Sequence, residues 1–109
     1  MINITFEGQP LYDICADLEQ AEQAYGSVSA GALVMFLSDA RSLETVEELL
    51  DLFGDDIKIG ADDSLSVAIG ADYRADLVVV GTRHSRDGAG RIAWASVTRL
   101  KLLAISRVP

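Results

Sequence analysis

The residues best equipped for chemistry lie between Asp76 and Ser96, in the run DLVVVGTRHSRDGAGRIAWAS. His84 is the chain's single histidine, so no second imidazole completes a metal pair or a proton relay. Asp87 stands close behind it, but such a pair is common in surface loops, and catalysis would need a nucleophile brought from elsewhere. Ligand binding is the other chemistry open to this run. A strand that ends at Gly81 and enters a Gly-rich loop can turn backbone N–H groups toward a phosphate. Gly81, Gly88 and Gly90 would supply the close backbone approach, Arg83 and Arg86 the charge, and Thr82 and Ser85 the hydroxyls, with His84 a further member of the loop. No Ser-His-Asp order, paired-carboxylate spacing or zinc-ligand spacing appears in the chain, so no enzymatic activity, metal or cofactor is expected.

The same run resembles the nucleotide-binding end of universal stress proteins, in which a strand leads to Gly-x-x-Gly and, further on, to Gly-Ser or Gly-Thr. Gly81 takes the first position; His84 stands at the second glycine, and Ala95-Ser96 replaces the final pair. Glu7-Gly8 occupies the place of that family's Asp at the end of the first strand. The resemblance implies a small nucleotide-binding domain that uses loop 81–90, and this is the alternative functional reading.

Charge supplies the preferred one. The chain of 109 residues carries a net charge of −8, a surface that phosphate repels, so direct nucleic-acid binding is not expected. Residues 1–63 hold fourteen acids against two bases, Arg41 and Lys58, whereas residues 64–109 hold three acids and seven bases. The acids concentrate in Glu44, Glu47, Glu48, Asp51, Asp55, Asp56, Asp62 and Asp63. Either this is an ordinary solvated helix face and turn, or it docks onto a basic partner, where charge complementarity raises association rates and selects partners. Asp62-Asp63 beside Gly60 lacks the ligand spacing of a calcium loop. In the basic part, Arg91, Arg99, Lys101 and Arg107 would line the exposed face of the last strand and meet the acidic helix of another copy, a head-to-tail contact. The expectation is a non-enzymatic interaction protein: an acidic inhibitor or immunity-type protein that blocks a basic partner, or a small self-assembling subunit.

These groups need elements to position them. Ile2, Ile4 and Phe6 alternate with polar neighbours as a strand does. Leu11, Ile14, Cys15, Leu18, Ala21 and Tyr25 recur at helical spacing, with Asp13, Asp17, Glu19 and Glu22 outside and Gly26 as the stop. The apolar run Ala32–Leu37 reads as a buried strand. Ser42 then opens a second helix whose stripe is Leu43, Val46, Leu49, Leu50 and Phe53, closed by Gly54. Ile57 and Ile59, then Leu65, Val67 and Ile69, give a hairpin signal around Gly60–Ser64. Asp76–Arg83 reads as another strand. Arg91–Arg107 reads as a strand in preference to a helix, with Ile92, Trp94, Leu100 and Leu102 inward.

The result is a single α+β domain over 1–109: strand, helix, strand, helix, then a meander, in a mixed or antiparallel sheet of five to six strands with two helices on one face. No membrane span is expected, because the apolar runs are short. No secretory leader is expected either, because Met1–Gly8 alternates instead of opening with a basic region. With a lone thiol at Cys15, and so no internal disulfide, the expected location is the cytoplasm.

Overall fold

A computed structural model describes residues 1–81, 86 and 88–108. It is an α+β protein with a five-stranded mixed sheet and four helices. Along the chain come β1 (Asn3–Phe6), α1 (Gln9–Ala16), α2 (Leu18–Tyr25), α3 (Ser27–Ser42), α4 (Val46–Phe53), β2 (Ile57–Ile59), β3 (Leu65–Ile69), β4 (Tyr73–Val79) and β5 (Arg99–Arg107). The sheet order is β1-β5-β4-β3-β2. β2 to β5 form the antiparallel meander, and β1 lies parallel to β5.

Two expectations about the helices are corrected. Ala32–Leu37 is not a strand but the middle of α3. The buried positions Ser29, Ala30, Leu33, Phe36, Leu37 and Ala40 follow helical spacing, while Val34 and Met35 are exposed and so conceal that period in the sequence. A sixteen-residue stretch without a turn signal is also better satisfied by four turns of helix than by a strand. Second, the helix expected over Leu11–Tyr25 divides at Asp17. That residue is extended (φ −130°, ψ 112°), and its carboxylate accepts the Glu19 N–H as the cap of α2. The described residues therefore form four helices rather than two.

The next start signal also moves. Ser42 ends α3, and Thr45 caps α4 in a reciprocal capping box with Glu48. The hairpin of β2 and β3 appears where alternation places it, pairing Ile57 with Val67 and Ile59 with Leu65. β4 begins earlier than expected, at Tyr73. Of the strand expected over Arg91–Arg107, only Arg99–Arg107 forms; before it Trp94–Ser96 is a 3-10 turn.

One sheet face is the core. Ile2, Ile4, Ile57, Leu65, Val67, Ile69, Ala75, Leu77, Leu100 and Leu102 are buried against Leu33, Phe36, Leu37 and Ala40 of α3 and Val46 and Leu49 of α4. The alternate residues lie on the opposite face, which no helix among the described residues covers: Asn3, Thr5, Lys58, Ser66, Arg74, Asp76, Arg99 and Lys101. Among the described residues, no helix is long and apolar enough to cross a membrane.

Candidate functional site

The acidic cluster is built on α4, the turn behind it and the β2–β3 connection. Four of its eight carboxylates serve the fold. Glu44 Oε2 lies 3.0 Å from the Met1 ammonium. Glu48 Oε1 accepts the N–H groups of Glu44 (3.0 Å) and Thr45 (3.1 Å), while its own N–H donates to Thr45 Oγ1 at 3.4 Å. Asp62 Oδ1 accepts the Ser64 hydroxyl at 2.6 Å and the Ser64 N–H at 3.2 Å, which holds its carboxyl below the usual range. Asp63, in left-handed backbone at φ 63°, accepts from Arg86 Nη1 at 3.1 Å.

The other four, Glu47, Asp51, Asp55 and Asp56, are exposed and make no hydrogen bond or ion pair among the described residues. Glu47 and Asp51 stand one turn apart on α4. Asp51 is in its last turn, and Asp55 and Asp56 fall immediately past Gly54, in a 3-10 turn. That is the negative end of the helix macrodipole, where cations stabilise and carboxylates destabilise. No basic side chain occupies this last turn.

The four cations expected to act together do not converge. Arg99 and Lys101 share the open sheet face, and Lys101 Nζ is held by Glu7 Oε2 at 2.7 Å. Arg107 ends β5, about 26 Å from Arg99 at a rise of about 3.3 Å per residue. Arg91 precedes the strand and is exposed. Two other cations join Arg99 and Lys101 on the open face instead: Lys58 of β2 and Arg74 of β4. The Arg74 guanidinium donates to Ser66 Oγ (2.6 Å) and to the Ser66 carbonyl (2.7 Å). Their placement was readable from the pleat, because once Ile57 and Val67 face the core, Lys58 must face away.

Of the proposed ligand loop, Gly81, Arg86, Gly88 and Gly90 are described, whereas Arg83 and His84 lie outside the described residues, as do Thr82, Ser85 and Asp87. Arg86 Nη1 is engaged by Asp63 and by the Gly90 carbonyl at 3.0 Å. The element that follows is the short turn at Trp94–Ser96, not a helix whose N-terminus could receive a phosphate. Among the described residues, no three His, Cys, Asp or Glu side chains gather as metal ligands would. Comparison with known protein families, with curated protein sequences and with solved structures finds no match for this chain.

Proposed function

We propose that this chain is a non-enzymatic interaction protein that docks onto a basic protein partner through Glu47, Asp51, Asp55 and Asp56. The observation that supports this reading is their position. Three carboxylates stand at the negative end of α4, where they lower stability, and none has an ion-pair partner among the described residues. A basic surface would relieve that repulsion on binding and would be steered toward it at a distance. An inhibitor or immunity-type protein that blocks a basic partner fits this description.

The testing variant is the charge reversal Asp51→Lys, Asp55→Lys, Asp56→Lys. Placing cations at the end of α4 should hold or raise stability, by about 0.3–1 kcal/mol for each well-placed charge. The same variant should lose capture of the basic partner, measured by pull-down at low salt followed by rebinding of the purified partner. A variant that stays folded and still binds the partner at the original affinity removes the reading.

A second reading has its own supporting observation. Lys58, Arg74, Arg99 and Lys101 gather on the open sheet face, opposite the helical layer. A further copy could present its acidic α4 end there, giving the head-to-tail subunit.

A further inference from the structure

β1 is an edge strand, and among the described residues β5 is the one strand it pairs with. Asn3 N–H donates to the Thr98 carbonyl and Glu7 N–H to the Leu102 carbonyl. In a parallel ladder alternate residues bond to the same neighbour, so Asn3, Thr5 and Glu7 address β5 while Ile2, Ile4 and Phe6 turn their N–H and C=O groups outward. Ile2 N–H is taken up by the Leu43 carbonyl, and the Phe6 carbonyl by Gly8 N–H. No hydrogen bond among the described residues reaches the outward N–H or C=O of Ile4.

Two cavities of about 380 Å³ and 290 Å³ run along this edge and share Ile4 and Arg41 as lining. They form one trough beside the strand. Phe6 and Tyr12, in edge-to-face contact at 5.5 Å, wall one end, and Met1 lines the other. Arg41, in the last turn of α3, stands between them, exposed and with no hydrogen bond or ion pair among the described residues. It is the only base in the chain before Lys58. The opposite edge contrasts with this one: β2 is three residues long and carries Lys58 at its centre, a form that discourages strand addition.

We infer that the β1 edge receives an extended peptide segment of a partner protein, which adds as a sixth strand and places a carboxylate side chain on Arg41. The free backbone pair at Ile4 supplies the ladder bonds, and the aromatic end of the trough takes an apolar side chain two positions from the acid. The guanidinium selects for carboxylate because it can donate two parallel hydrogen bonds. This surface is separate from the acidic end of α4 and uses none of its residues, so either site can fail without the other.

The probe is a random heptapeptide library displayed on phage and selected against the full chain, in parallel with Arg41→Gln. Enriched peptides should contain Asp or Glu. A synthetic peptide of the enriched sequence should shift the backbone amides of Ile4, Phe6 and Arg41 in NMR spectra and slow hydrogen exchange at the Ile4 amide. Its affinity should drop at least tenfold in Arg41→Gln. The inference is overturned if no sequence is enriched, if the enriched sequences lack carboxylates, or if the shifts map elsewhere. It is equally overturned if Ile4 exchange slows with protein concentration alone, because a second copy would then occupy the edge.

Discussion

Burial pushes the Cys15 thiol up from 9.0 to about 11, against a smaller opposing pull from the Arg41 guanidinium. The folded pKa lies above the unfolded one, so the protonated thiol contributes to stability below pH 9. That contribution is lost as pH rises from 9 toward 11, where the folded state must ionise a half-buried group. Iodoacetamide should therefore modify Cys15 slowly at pH 8 in the native protein and quickly once denaturant is added. Rapid native modification at pH 8 would contradict the burial. Asp62 has the opposite sign. Its carboxyl is lowered by the Ser64 hydroxyl, so its contribution is present above the ordinary carboxylate range and fades as pH falls through the folded value. At this scale the sequence is partly legible. The half-buried place of Cys15 follows from its helical spacing, whereas the use of Glu48 and Asp62 in caps and turns does not. The same acids on the same spacing serve equally well as a solvated face, and only the backbone geometry separates the two.

Helix boundaries are set by short polar residues and glycine. Gly26 closes α2, with its N–H donating to the Glu22 carbonyl, and leads directly into α3 at φ 85°, ψ 163°. That region is nearly confined to glycine, so Gly26→Ala should destabilise the protein by about 1–3 kcal/mol although no atom crowds the new Cβ. Chemical denaturation reads this directly; an unchanged midpoint would mean that the α2–α3 corner relaxes. The strands were largely legible because one buried face imposes strict alternation, as in Leu65, Val67 and Ile69 of β3. The helices were less so. α3 exposes Val28, Val34 and Met35 among its apolar residues, so its sequence lacks the polar side that marks a helix. At Arg91–Thr98 the alternation of Ile92 and Trp94 imitated a strand, but it belongs to an isolated bridge between Arg86 and Ile92 and to the 3-10 turn that follows.

Across the whole molecule, charge is spread unevenly: most of the acids lie on the helices, their caps and the turn after α4, and the open sheet face carries Lys58, Arg74, Arg99 and Lys101 alongside Asp76. Composition revealed the imbalance along the chain, but only the sheet order placed Lys58 with the later cations. If copies associate head to tail, light scattering after size exclusion should give a multimer at about 0.01 M salt that dissociates near 1 M, as the screening length falls from about 30 Å to about 3 Å. A monomer at both salts rules out self-assembly and leaves a foreign basic partner. The sheet order also governs how the protein is made. β5 lies between β1 and β4, so β1 finds its neighbour only when Arg99–Leu102 is available to pair with Asn3–Phe6. A nascent chain that has emerged only to Thr98 holds α3 and the β2–β4 hairpins, yet β1 has no strand beside it and one edge of β4 is unpaired. Closing so distant a contact carries a large loop entropy and slows folding. The sheet is therefore completed only once β5 has emerged, and until then the polypeptide exposes the unpaired edges of β1 and β4 to chaperones and to other unfinished copies.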